Sequence, residues 1–513
     1  MRSFLARYQD RIIGALSGLD RILFRGTIRQ LAHVAGFDSF MGYRRILRKD
    51  FKAHSQAVTA QIREATEAIA EASGRPLRYL ESSAVRKEDV AQQILTEQPT
   101  DQGLICILSC VEPCLSYQVS PNPKTKLLEL ALRTRKCLHY YHYFIDPVFG
   151  FMHLRLQTWY PFTVQVYLNG REWLCRQLDA EKLTYERRDN TLASVADFDR
   201  AQQLLQRQTK LNWPIHLERV LSLAHPLHRK LFPETNLGYY WSVWEMEWAS
   251  DLAFDSPTSL AAIYPALTRH AISHFRSSDI MRFLGKKPSG HFDGEIISSY
   301  KRRPEGVRVK HRVKSNSIKI YDKQASVLRV ETTINQPRDF KVFRRPEGDP
   351  KASRKWLQLR KGVADIDRMA QIAQASNERY YDALACVEDR TPLHRLINRI
   401  CCPTTLNGCR IRALRPWSAP DAELLQTIQR GEFALGGFRN ADLRSKLDSP
   451  IGTSPKQLAA RVGRLLRILR AHGIIKKIPN SHRYHLTKNG RRIVTALIAA
   501  YHADVDDLLR KAA

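Results

Sequence analysis

The sequence predicts an α+β chain of several domains: a helical N-terminal region, antiparallel-sheet domains in the middle, and a helix-rich C-terminal module closed by a short hairpin. Three observations lead there. Segments with apolar residues at helical spacing flank a central region of short Val-, Ile- and Tyr-rich runs broken by Pro and Gly. The 513 residues exceed the ~100–200 of one domain. A content of 43% hydrophobic and 26% charged residues is that of a packed globular chain.

Residues 1–100 read as a basic helical region, with Ile12, Ile13, Leu16 and Leu19 at helical spacing and the run "YRRILRKDFK" beyond them. Residues 101–235 read as an α/β domain with aromatic-rich strands such as "HYYHYFID" and "FMHLRLQTWYPFTVQVYLNG". Residues 236–345 predict β-α-β-β. The strand "YYWSVWEMEWASDLAF" comes first, then a helix capped by Ser256 with Pro257 at its first position, then "EGVRVKHRV" and "NSIKIYDKQASVLRVETTI". Residues 346–420 read as a helical linker region around the Pro- and charge-rich "FRRPEGDPKASRKW". From 421 to 513 the order is helix, helix, long helix, hairpin, helix.

Charge sets the partner class. With 82 Lys+Arg against 51 Asp+Glu, the net charge is +31, which suits a polyanion, with nucleic acid the leading partner class; the partner expectation is DNA ahead of RNA, with a homo-oligomer as a further option. There is no apolar run of ~18 residues, so no membrane partner is expected. The first residues interrupt their apolar positions with Arg7, Asp10 and Arg11, so no signal peptide is expected either. Nine scattered cysteines fit a reducing compartment, and the expected location is the cytoplasm. Walker-type, dinucleotide and GxSxG motifs are absent.

Strand alternation turns Lys319, Tyr321 and Lys323 to one side and Ile318 and Ile320 to the other; Arg329, Glu331 and Thr333 join the polar set. Upstream, Glu245, Glu247 and Asp251 share a face and predict a site for a hard divalent cation, Mg or Mn. A tyrosine beside such a cation is suited to phosphodiester cleavage. Tyr321, Glu331 and Lys323 are the catalytic candidates, with Tyr300 as an alternative nucleophile. Elsewhere, "CILSCVEPC" with Cys137 and His139 departs from usual zinc spacing, and Cys106 and Cys110 read as small buried hydrophobes. Tyr140, His142, Arg155 and Tyr160 are candidates for an exposed base-stacking surface.

Two resemblances sharpen this reading. In "SPKQLAARVGRLLRILRAHGIIKKI" an apolar stripe of Leu458, Val462, Leu465, Leu466 and Leu469 opposes a basic face. With Gly473, Ile474, Ile475, Tyr484, Leu486, Thr487 and Gly490, the stretch resembles winged helix-turn-helix domains of the MarR-like kind. That resemblance implies nucleic-acid contact through Lys456, Arg461, Arg464, Arg467, Lys477, His482 and Arg483. The order "WEMEWASDLAF", helix, "IKIYDK", "LRVETT" resembles rolling-circle replication initiators of plasmids and phages. It implies metal-dependent strand nicking and transfer through a tyrosine in a mobile-element protein. A His-hydrophobic-His pair, found in related nickases, is absent: His139 and His142 stand three apart. The competing expectation is a transcriptional regulator or structured-RNA-binding protein without enzymatic activity.

Overall fold

The computed structural model describes residues 1–233, 237–285, 294–303, 306–346, 349, 351–385, 393–429, 433, 437–447, 454–479 and 481–503. They form two compact units. The first holds Met1–His274, Phe283–Gly285 and Ile296–Ala385; the second holds Phe275–Arg282, residues 294–295 and the described residues from 393 onward.

One sheet of eleven strands organises the first unit. In chain order they are β1 (Ile12–Ile28), β2 (Leu77–Leu80), β3 (Gly103–Pro121), β4 (Leu128–Asp146), β5 (Gly150–Gln157), β6 (Val164–Asn169), β7 (Tyr239–Phe254), β8 (Ile296–Arg303), β9 (Gly306–Val313), β10 (Asn316–Lys323) and β11 (Val327–Ile334). Their spatial order is β8-β9-β10-β11-β7-β1-β6-β5-β4-β3-β2, antiparallel throughout except for β2 beside β3. Each half repeats one plan: a long strand, a helical excursion, then a four-strand meander whose last strand returns to the long one. β1 and β7 join the halves along 15 paired positions.

Two expectations are corrected here. The boundaries placed after residues 100 and 235 do not separate folds, because β1, β3–β6 and β7–β11 share hydrogen bonds in a single sheet. Nor do residues 12–28 form a helix. Gly14, Gly18 and Gly26 disfavour one by about 1 kcal/mol each, while Ile12, Ile13, Ile22, Thr27 and Ile28 favour extended backbone. Register shifts at 12/14, 19/21 and 23/24 break the alternation and disguise the strand.

Three helices matter to the site: α1 (Lys87–Glu97), α2 (Gly170–Ala180) and α3 (Ile366–Leu384). α2 begins where β6 ends, capped by Asn169, whose Oδ1 accepts from the Arg171 amide at 2.8 Å. A Cβ at Gly170 would lie 2.1 Å from the Leu19 carbonyl oxygen, so only glycine lets this helix start against β1. α3 packs beneath β7 and β11. Tyr381 Oη donates to the Ser250 and Leu328 carbonyls at 3.0 and 2.7 Å, and Asn377 Nδ2 donates to the Trp248 carbonyl at 3.0 Å. These bonds fix the two acidic strands from one side and leave the other to the polar residues.

The aromatic run of β4 is mostly core. Phe144, Phe149 and Phe162 are buried as expected, but so are Tyr140, Tyr160 and His142, at 3%, 1% and 0% exposure. Tyr160 packs among Phe37, Phe51 and Phe162, which removes it and Tyr140 as an exposed stacking surface. Arg155 is half-buried and paired with Glu112 at 2.9 Å.

In the second unit, α4 (Ala419–Ile428), α5 (Asn440–Arg444), α6 (Pro455–Ala471) and α7 (Lys488–Tyr501) enclose one core with the hairpin of β12 (Ile475–Lys477) and β13 (Tyr484–Leu486). Ser454 caps α6 in a reciprocal pair with Gln457, and Gly473, at φ +68°, ends it. Phe438 bridges to Tyr484 and adds a third short pairing to the hairpin. No helix of the described residues is long and apolar enough to cross a membrane.

Candidate active site and nucleic-acid interface

The register of three strands assembles the polar site. Lys319 stands opposite Glu331, and Tyr321 opposite Arg329, across β10 and β11. Thr333 stands opposite Glu247 across β11 and β7, which puts Glu247 diagonal to Glu331 on the same face. On β1, Leu19 pairs with Trp248 and Arg21 with Glu247, leaving Asp20 as the extra residue of a bulge. Bulges re-aim side chains. Here the carboxylate oxygens of Asp20, Glu247 and Glu331 all lie within 4.8 Å of one another, beside a cavity of about 200 Å³.

The network around them is charge-balanced. Tyr321 Oη donates to Glu331 Oε2 at 2.7 Å, and Lys319 Nζ reaches Glu331 Oε1 at 2.5 Å and Glu247 Oε1 at 3.5 Å. Arg329, 1% exposed, donates to Asp20 Oδ1 at 2.7 Å and to both Asp251 oxygens at 2.6 and 2.8 Å. Asn190 Nδ2 holds Asp20 Oδ1 at 2.8 Å.

The carboxyl groups are driven apart in acidity. Burial, reinforced by the charge of Glu331, raises the pKa of Glu247 well above the ordinary carboxylate value. Burial alone would raise Glu331 too, but Lys319 and Arg329 outweigh it and hold that group low. Burial and then the Glu331 charge raise the Tyr321 phenol well above its ordinary value.

The predicted metal set is thus redistributed. Glu247 belongs to the cluster. Asp251 does not: burial would raise its pKa, Arg329 and Arg171 lower it further than that, and these two arginines occupy its oxygens. Glu245, opposite Leu23, lies outside the cluster. Lys323 lines the cavity but is ion-paired with Asp189. Tyr300 pairs with Val309, which in turn pairs with Ile320, so it shares the face opposite Tyr321 and cannot join the carboxylates. Asp20 escapes the sequence reading because its strand carries helical spacing; the signal that points to it is an acid beside an arginine in the mainly apolar "SGLDRILF".

Three clustered carboxylates fit a hard divalent cation. Lys319 now serves as their counter-ion, and its flexible stem lets the ammonium give way. Because Glu247 must lose its proton to become a ligand, Mn²⁺ affinity is expected to climb with pH by up to about tenfold per unit between the ordinary glutamate value of ~4.3 and the raised value of Glu247, and to level off above it. The sign follows from the raised pKa: the cation-free fold retains this proton and loses the associated stability as pH rises. Calorimetric Mn²⁺ titrations across pH check it; Glu247→Gln should flatten the profile, and a flat wild-type profile would remove Glu247 from the ligand set.

In the second unit, α6 buries Val462, Leu466 and Leu469 and exposes Lys456, Arg464, Arg467 and Arg470. Lys477 and His482 are exposed on the hairpin; Arg461 and Arg483 are half-buried, and Arg483 Nη1 donates to the Gly437 carbonyl at 3.3 Å. Arg439, Gly463, Arg467, Arg470 and His482 line a groove of about 500 Å³. Comparison of the chain with protein-family models, with curated proteins and with solved structures returns no match.

Proposed function

We propose that this is a nucleic-acid-binding protein of a mobile or plasmid-like element, acting on DNA rather than RNA, whose first unit nicks and transfers strands through Tyr321. The observation that carries this reading is the Tyr321 phenol, 2.7 Å from Glu331 and beside three converging carboxylates. Tyr321 Oη bonds to phosphorus while its proton passes to Glu331. The phosphorus–oxygen ester bond breaks, and the leaving oxygen takes a proton from the displaced Lys319 ammonium; solvent returns one to Lys319 and takes the one on Glu331. A divalent cation held by Asp20, Glu247 and Glu331 would polarise the phosphoryl oxygen. The tyrosyl phosphate keeps the bond energy for rejoining.

We read the second unit as a winged helix that grips duplex DNA, with α6 in the major groove and the β12–β13 hairpin on the backbone. The exposed cations on one face of α6 support this. Arg467→Ala is expected to weaken binding to all duplexes alike and lower the slope of log affinity against log salt by about 1. Titrations at several salt concentrations check it; a change confined to one sequence would make Arg467 a base reader instead.

The overall test is incubation with end-labelled single-stranded and hairpin DNA plus Mg²⁺ or Mn²⁺, followed by denaturation. Label that stays on the protein supports strand transfer. Intact binding without label would leave a regulator or structured-RNA-binding protein.

A further inference from the structure

A second donor cluster lies away from the carboxylates, on the β3–β4 ladder. Cys114 and Cys137 form a disulfide, and their sulfurs and one ring nitrogen of His139 all lie within 4.8 Å of one another. Register explains the meeting. Arg135 stands opposite Cys114, Cys137 opposite Glu112 and His139 opposite Cys110, so both cysteines and the histidine share one face. Spacing of two on β4 supplies a Cys-x-His pair, and β3 supplies the third donor from 23 residues away.

His139 is fully buried. Its Nδ1 stands 3.0 Å from the Cys137 carbonyl, which only accepts, so Nδ1 carries the hydrogen and Nε2 keeps its lone pair. Among the described residues Nε2 has no hydrogen-bond partner, an unfavourable state for a buried polar atom and the usual arrangement of a metal-binding imidazole.

We propose that, when the disulfide is reduced, Cys114, Cys137 and His139 bind one thiophilic cation of the zinc class, with a fourth position left to water. Two thiolates balance a dication, so no carboxylate is needed. Glu112, the nearest acid in register, is already taken by Lys87 at 2.7 Å, Arg155 at 2.9 Å and Tyr141 at 2.6 Å. Both cysteines are half-buried, within reach of reductant and metal. A dithiol reduces the disulfide to two thiols and is itself oxidised to a cyclic disulfide; the cation then displaces two protons. Disulfide and metal are therefore alternatives, each clamping β3 to β4.

The test uses full-length protein reduced with a dithiol, desalted without oxygen and titrated with Co²⁺ as a spectroscopic stand-in. One Co²⁺ per chain is expected, with thiolate-to-metal absorption that Zn²⁺ bleaches. The absorption should vanish in Cys137→Ser, weaken by about tenfold or more in affinity in His139→Ala, and persist when the exposed Cys401, Cys402 and Cys409 are all serine. On unmodified protein, Zn²⁺ should protect Cys114 and Cys137 from alkylation, read by peptide mass spectrometry, which keeps the test independent of variant folding. Absence of the band from reduced protein, its loss only in the triple serine variant, or unprotected Cys114 and Cys137 would each overturn the proposal.

Discussion

Tyr321→Phe is expected to lower covalent adduct formation by at least about a thousandfold while leaving DNA affinity within about twofold, because only the nucleophilic oxygen is removed. The phenyl ring keeps its place on β10, flanked by Lys319, whose ammonium lies 5.4 Å from the ring centroid. Glu331 loses one donor but retains Lys319 at 2.5 Å. A retained fold with lost chemistry therefore separates a nucleophile from a structural tyrosine. The adduct should also depend on the carboxylates: Glu331→Gln removes the proton acceptor and part of the cation site together. An adduct of undiminished yield in Tyr321→Phe would show that another residue attacks phosphorus. The register rules out Tyr300 as a neighbour of the carboxylates, so such a result would displace the whole site and not merely its tyrosine.

How much of this was legible depended on whether a pattern had period two without interruption. The hairpin of β10 and β11 was readable residue by residue: Ile318 and Ile320 are buried, and Tyr321, Lys319 and Glu331 share the polar face. Glu247 was readable on β7 for the same reason. Asp20 was not, because the bulge that turns it into the site also destroys the alternation of β1. Asp251 was misassigned for a different reason. Sequence spacing places a carboxylate on a face but not its counter-ions, and Arg171 reaches Asp251 only because Gly170 lets α2 start against β1. Joining the three predicted N-terminal and central regions into one sheet lay beyond local patterns, since β1–β7 pairing spans more than two hundred residues of chain. In the second unit the helical stripe of α6 and the hairpin alternation were both regular, and both elements stand where the residues indicate.

Arg329→Met should be the most damaging single change to stability, at about 3–5 kcal/mol, measured by urea unfolding. Methionine nearly preserves the volume of the arginine stem, so the loss is electrostatic. Arg329 is the shared partner of two buried acids, Asp20 and Asp251, and also donates to the Asn190 carbonyl at 2.8 Å. Removing it leaves Asp20 with Asn190 as its close donor and Asp251 with Arg171. An uncompensated buried carboxylate is costly, whereas a neutral amide of the same shape is not. Adding Asp20→Asn to Arg329→Met should therefore recover part of the loss, a coupling that a double-mutant cycle reads directly. A loss below about 1 kcal/mol would mean that water reaches this network and screens it as it does a surface pair. The same arginine connects stability to chemistry: by neutralising Asp20 and Asp251 and lowering the pKa of Glu331, it keeps an ionised carboxylate in position to receive the Tyr321 proton. In the folded Arg329→Met protein, Glu331 should hold its own proton to higher pH, and the adduct yield should shift to higher pH with it.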